Sequence, residues 1–211
     1  MKADDFTALL SCWADLMKEN RDYLIDLDSV MGDGDLGLTM SDGFFAASEA
    51  VKDITETDIG KLAYTAGKAM STAVPSTMGT LMASGFMSAG KALKGAETLD
   101  LGGVAAFFKA YLEGVQSRGK AEIGDKTFLD GLHPAAELLM AGAAANMSFS
   151  EAASKAAAAA HDAFLSTKGM LAKHGRAAAR GEKSRELLDP GAAVADLMMK
   201  GYADFVTKRQ L

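Results

Sequence analysis

The sequence predicts an all-α protein. Only three prolines interrupt its 211 residues. Ala, Leu and Met are abundant while β-branched residues are few, and the apolar runs break at glycine, proline and capping residues. Asp4 or Asp5 caps a first helix that runs to about Asn20. A shorter apolar segment, Tyr23 to Val30, leads into an aspartate-rich turn. The next helix starts near Leu36 and reaches about Val51. Asp58 opens a helix to Val74, Pro75 stops it, and Ser76 or Thr77 begins another that ends near Gly95. Asp100 starts a helix with Val104, Phe107, Phe108 and Tyr111 on one face. Arg118 to Lys126 reads as a polar loop and Thr127 to Ala145 as a helix around Pro134. Ser148 and Ser150 cap a long Ala-rich helix, Glu151 to Lys173, whose small side chains allow close helix contact. Gly175 to Leu188 reads as a charged loop. Asp189-Pro190 then caps the last helix, with proline at its first position, where a missing N–H costs little. The pattern amounts to about eight helices, expected to form a single domain over residues 1–211, with no internal repeat.

Bulk properties narrow the function classes. Hydrophobic residues make up 49 % and charged residues 24 %, an ordinary globular balance. The formal charge of −6 argues against a nucleic-acid partner, which needs a basic surface. No apolar run approaches the roughly 20 residues that span a bilayer, so no membrane association is expected. The N-terminal Met-Lys-Ala-Asp-Asp lacks the apolar core of a signal peptide. Cys12 is the only cysteine, which fits a reducing cytoplasm.

The most informative stretch is the turn at Asp28-Ser-Val-Met-Gly32-Asp33-Gly34-Asp35-Leu-Gly37. Packed carboxylates repel one another, so Asp28, Asp33 and Asp35 around a glycine turn point to a hard divalent cation. A glycine turn ahead of a helix suggests that the cation carries phosphate. Asp-Gly-Asp alone also reads as a helix cap; Asp28 and the three glycines shift the reading to metal. A calcium loop of the EF-hand type is excluded, because its twelfth position, counted from Asp33, is Phe44 rather than Glu. Three further stretches have both a functional and a plain reading. Pro75-Ser76-Thr77-Met78-Gly79-Thr80 is either an anion-binding helix start or an ordinary cap. Asp125 in Gly124-Asp125-Lys126-Thr127 caps a helix opening at Lys126, while Lys120 or Lys126 is available to meet phosphate. Gly175-Arg176 is a phosphate fork or part of a solvated loop. His133, His161 and His174 have no zinc-type spacing, and neither a Walker loop nor a nucleophile elbow is present.

Taken in order, these motifs resemble the nucleotide-binding L subunit family of dihydroxyacetone kinase. The residues that carry the resemblance are Leu27-Asp28, Gly32-Asp33-Gly34-Asp35-x-Gly37-x-x-Met40, Arg118-Gly119-Lys120-Ala121, Gly124-Asp125-Lys126-Thr127-x-Leu129-Asp130, Gly175-Arg176 and Asp189-Pro190-Gly191-Ala192. The resemblance implies an eight-helix antiparallel barrel with ADP or ATP and two magnesium ions at one end. By position, Asp28, Asp33 and Asp35 would hold the metal pair. Leu36, Gly37, Leu38 and Thr39 would lie beside the nucleotide, Thr77 and Met78 at its phosphates, and Gly119 and Phe128 at adenine. Arg176, Asp189, Pro190 and Gly191 would close the pocket. It also implies a phosphotransferase that works with a sugar-binding K subunit and a phosphotransferase-system M subunit, with a homodimer left open. In that scheme the chain supplies no catalytic nucleophile or base; the sugar hydroxyl attacks.

The sequence departs from the family pattern at three places. Leu36 replaces the usual His, Thr39 stands where Asn is frequent, and Met78 replaces a serine of the phosphate loop. Ser76, Thr77 or Thr80 can supply a hydroxyl or backbone N–H instead. Three neighbouring readings stay open: an ATP-dependent kinase of another ketose such as erythrulose, a fatty-acid kinase type, and a nucleotide-sensing regulatory subunit. The fatty-acid kinase type joins this core to further domains, which counts against it for a chain that stops at Leu211.

Overall fold

The computed structural model describes residues 1–211 and contains ten α-helices and no strands. The helices are α1 (Ala3–Glu19), α2 (Arg21–Met31), α3 (Leu36–Glu49), α4 (Ile59–Ala73), α5 (Thr77–Ala92), α6 (Leu101–Gly119), α7 (Phe128–Ala144), α8 (Phe149–Ser166), α9 (Gly175–Ala178) and α10 (Pro190–Arg209). A 3-10 helix covers Gly181–Glu186. Five long helices start where local chemistry dictates. Asp58, Ser76, Asp100, Ser148 and Asp189 each accept a hydrogen bond from a backbone N–H in the first turn.

Eight of the helices close into a ring. Going round it, α1 packs on α3, then α4, α5, α6, α7, α8 and α10 follow in turn, and α10 returns to α1. The α2 helix lies outside the ring against α3 and α10. Close approaches show that neighbours run antiparallel. A Cβ on Gly60 would meet Gly90 O at 2.6 Å, and one on Gly67 would meet Ala83 O at 2.8 Å, so α4 and α5 pass in opposite directions. Short connections between consecutive helices give the same sense.

The ring is filled rather than hollow. Trp13 is fully buried at its centre and meets Phe44, Phe86, Phe107 and Phe108 at ring-centroid distances of 6.1–6.4 Å. Its indole N–H donates to the Met198 carbonyl at 2.8 Å, tying α1 to α10 across the closure. The amphipathic face expected for α6 is present: Val104, Phe107, Phe108 and Tyr111 are all buried. No helix is long and apolar enough to cross a membrane.

Some boundaries differ from the sequence expectation. The α8 helix ends at Ser166, not near Lys173, because Gly169 takes a φ of +99° and exchanges hydrogen bonds with Arg185. Thr127, not Asp125, caps α7; Leu129 N–H donates to its hydroxyl, and Asp130 closes a capping box by accepting from Thr127 N–H at 2.7 Å. The stretch from Gly175 to Leu188 is partly helical, and the loop after α6 hides Ala121, Asp125 and Lys126 from solvent.

Candidate nucleotide and metal site

Up-and-down packing sorts helix ends. In the ring α3, α5, α7 and α10 start at one end, and α1, α4, α6 and α8 start at the other. A cavity of about 860 Å³ opens at the first end, and all four of those helix starts line it: Asp35-Leu36, Ser76-Thr77, Thr127-Phe128 and Asp189-Pro190. Unpaired N–H groups and aligned helix dipoles make such a place favourable to an anion.

The acidic turn lies on the rim. Asp28 stands on the last turn of α2, while Asp33 and Asp35 follow on the turn into α3. One carboxylate oxygen from each lies within 4.8 Å of the other two. The glycines make this approach sterically open. A Cβ at Gly32 would sit 2.3 Å from Asp28 Oδ1, and Gly34 has a φ of +76°. Gly34 N–H donates to Asp28 Oδ2 at 2.9 Å and Leu36 N–H at 3.4 Å, which fixes that carboxylate and leaves Oδ1 free. Burial, then the charges of Asp33 and Asp28, raise the Asp35 carboxyl above its ordinary value, with Arg176 opposing. The cluster therefore repels itself, and a divalent cation would relieve it. Three carboxylate donors beside an anion-binding cavity fit magnesium or a similar hard cation.

The rest of the cavity divides by chemistry. Leu81, Val115, Phe128 and Leu129 give it an apolar part, with Gly119 beside Leu81. Arg118 and Arg176 bring positive charge, and Arg176 pairs with Asp33 at 2.6 Å. Asp189 is buried under the floor, where its Oδ2 accepts from Ala192 N–H at 2.7 Å. Burial pushes its carboxyl up to about 7, against the pull of the Ala192 N–H and Lys126.

Most residues singled out from the sequence come together here: Asp28, Asp33, Asp35, Leu36, Thr77, Met78, Gly119, Phe128, Arg176, Asp189, Pro190 and Gly191 all line the cavity. Gly37, Leu38 and Thr39 do not. On a helix only one side of the first turn faces a given pocket: Gly37 and Thr39 are buried elsewhere and Leu38 is exposed. What Gly37 and Leu38 can offer is backbone N–H at the start of α3. Ser76 Oγ accepts from Gly79 N–H at 3.0 Å as the α5 cap, and Thr80 also lines the cavity. Lys126 is not free to meet phosphate. It is 2 % exposed, and its ammonium donates to three backbone carbonyls. Lys120 is exposed and off the cavity. Sequence reasoning gave Leu81, Val115 and His174 no role at the site; spacing from Met78, Gly119 and Gly175 was the available signal.

An α-helical barrel with an acidic turn and converging helix starts at one mouth is an arrangement suited to holding a cation and an anion together. The chain belongs to the DAK2 domain family, which matches residues 30–204. It is 36 % identical over 189 residues to the PEP-dependent dihydroxyacetone kinase, ADP-binding subunit DhaL, of Escherichia coli strain K12, covering 90 % of both chains. A corresponding subunit from Listeria innocua is 33 % identical over 87 % of this chain and 86 % of that one. The L-erythrulose 1-kinase of Mycolicibacterium smegmatis is 30 % identical over 98 % of this chain but only 36 % of that protein. Among solved structures, the native dihydroxyacetone kinase of C. freundii superposes with a TM-score of 0.71 at 22 % identity. The fit covers 94 % of this chain and 34 % of that longer one. The same kinase in complex with AMP-PNP and Mg2+ gives 0.69. At this identity the likeness speaks for the fold.

Proposed function

We propose that this chain is the ADP-binding L subunit of a multi-subunit kinase for dihydroxyacetone or a related ketose. It would act in the cytoplasm as one nucleotide-binding domain spanning residues 1–211. It would receive phosphate through a phosphotransferase-system M subunit and pass it to a sugar held by a K subunit. The observation that carries this reading is the triad Asp28, Asp33 and Asp35, with donor atoms within 4.8 Å, on the rim of a cavity where four helix starts converge. The likeness to ADP-binding subunits over 87–90 % of this chain supports it.

The chain's own residues divide the work. The two backbone N–H groups on Asp28 orient one carboxylate, and Asp33 and Asp35 complete a donor set for up to two magnesium ions. Bound magnesium would neutralise phosphate oxygens and polarise the transferring group. The starts of α3, α5 and α10 offer N–H groups to the phosphates, and Arg176 adds a planar donor fork at the same rim. Leu81, Val115 and Phe128 give the base an apolar wall that excludes water. No side chain of the cavity need act as a nucleophile, because the hydroxyl that attacks belongs to the sugar. A second reading, an ATP-dependent kinase module for erythrulose, draws on the 30 % identity to L-erythrulose 1-kinase over nearly the whole chain.

Calorimetry with ADP, with and without magnesium, tests the core of this reading. ADP is expected to bind only with the metal, and Asp33→Asn to lose at least tenfold in affinity, on the order of a lost metal-site contact, with its thermal melting little changed. Metal-independent ADP binding, or wild-type affinity in the variant, would overturn the assignment. Adding a K subunit and either ATP or a phosphorylated M subunit then separates the two readings.

A further inference from the structure

Between α8 and α10, residues 167–189 form a strap that crosses the cavity mouth. His174, Gly175, Arg176 and Ala177 line the opening from this strap, yet few of its side chains are buried. Apolar packing alone therefore does not hold it down. Three separate points of the strap instead converge on one ammonium group. Lys126 Nζ donates to the carbonyls of Ser184 at 2.5 Å, Leu187 at 2.6 Å and Met170 at 3.3 Å. An ammonium has three protons, and all three are used. Met170 O and Leu187 O accept from no other donor, and Ser184 O otherwise accepts only from Leu187 N–H at 3.3 Å, so without Lys126 these carbonyls would lose pairing or the strap would lift to hydrate them.

The neighbouring residue reinforces the anchor. Asp125 accepts from Lys173 Nζ at 2.7 Å and pairs with His174 Nε2 at 2.9 Å, while its main-chain carbonyl accepts from Lys173 N–H. On its far side the strap reaches the acidic turn: Arg176 pairs with Asp33, and Arg180 Nε donates to Met31 O at 3.3 Å. The strap thus spans the mouth from the α6–α7 loop to the metal-binding turn.

We infer that Lys126 is a positioning residue of the nucleotide site: by gathering three strap carbonyls it holds the strap shut over the cavity and so sets how fast bound nucleotide leaves. This rests on the proposed function, since the cavity must hold nucleotide for the strap to retain it. Lys126 touches neither phosphate nor metal in this scheme.

The test uses the full chain with Lys126→Met and, as a milder variant, Ser184→Ala. Ser184 Oγ accepts from Ala172 N–H at 3.1 Å and donates to Gly181 O at 2.7 Å, so its loss loosens the same strap from inside. Two readouts are taken: amide hydrogen exchange of the nucleotide-free chain, and dissociation of a fluorescent ADP analogue in magnesium. Lys126→Met is expected to lose protection at least tenfold in peptides covering residues 168–188, while α5 and α6 keep theirs. ADP release should quicken at least tenfold with the association rate nearly unchanged; Ser184→Ala should show the same pattern at about threefold. Wild-type protection of the strap in Lys126→Met, or a loosened strap with unaltered ADP release, overturns the inference. If Lys126→Met does not fold, Ser184→Ala decides alone, and wild-type release from it overturns the inference. A wild-type chain that binds no ADP sinks the proposed function as well. That result is distinct from wild type that binds while both variants release ADP at its rate.

Discussion

Tyr202 sits in α10 with its ring against Phe108 and a hydroxyl that finds no hydrogen-bond partner. An unpaired buried hydroxyl loses its hydration without return. Tyr202→Phe is therefore expected to raise stability by about 1 kcal/mol, read from the urea midpoint; a lower midpoint would show a hidden partner. Asp189 gives a pH effect of defined sign. Its folded carboxyl titrates at about 7, above its ordinary value of 3.8, so the folded chain holds the proton more tightly than the unfolded chain. That contribution is full below about pH 4 and is lost as pH rises through about 7. Asn keeps the capping oxygen but cannot ionise. Asp189→Asn should flatten the fall in melting temperature between pH 5 and 8, and an unchanged slope would exclude Asp189 as its source. At this scale the acidic turn was legible because its carboxylates crowd within eight residues of sequence. Lys126 was not, since its acceptors lie 44, 58 and 61 residues away. A lysine read locally looks like a solvated charge.

Helices pack here through small residues, and one contact carries a clean prediction. A Cβ added to Gly85 in α5 would lie 2.5 Å from the Tyr111 ring of α6, and Tyr111 is fully buried. Gly85→Ala should cost about 1–3 kcal/mol through overpacking, despite the better helix propensity of alanine. Denaturant unfolding measures this, and a neutral or stabilised variant would mean that the α5–α6 contact yields more easily than its geometry says. Helix starts were readable because a cap is a local event: Asp58, Ser76, Asp100, Ser148 and Asp189 all act as their residue types suggest. Helix ends were harder. Helix-compatible residues continue past Ser166, and the left-handed Gly169, paired with Arg185 far along the chain, ends α8 there. The α7 start falls within one residue of the expected Thr127, but its cap is Thr127 rather than Asp125, because Asp125 serves the strap instead of the helix.

For the molecule as a whole, alternation of direction round a closed ring brings half the helix starts to one mouth. The sequence pattern yields the helices, but not the ring. Closure depends on contacts such as Trp13 with Met198, 185 residues apart, and the barrel was expected only from the family resemblance. Because the mouth draws on α3, α5, α7 and α10, filling it should stabilise the entire ring. At ADP concentrations one hundred times Kd, with magnesium, unfolding is expected to cost about 2.7 kcal/mol more than without ligand. Equal melting temperatures with and without ADP-magnesium would mean that the cavity is not a nucleotide site.

The direction of α10 and α6 has a practical corollary. Each begins or ends at the mouth and is 20 or 19 residues long, so its other end lies about 30 Å away. The amino group of Met1 donates to Leu99 O, just before the distant start of α6, and Leu211 follows the distant end of α10. Both termini are thus anchored on the rear wall of the barrel. A surface tether, an affinity handle or a fluorophore attached at residue 1 or 211 would leave the cavity face clear.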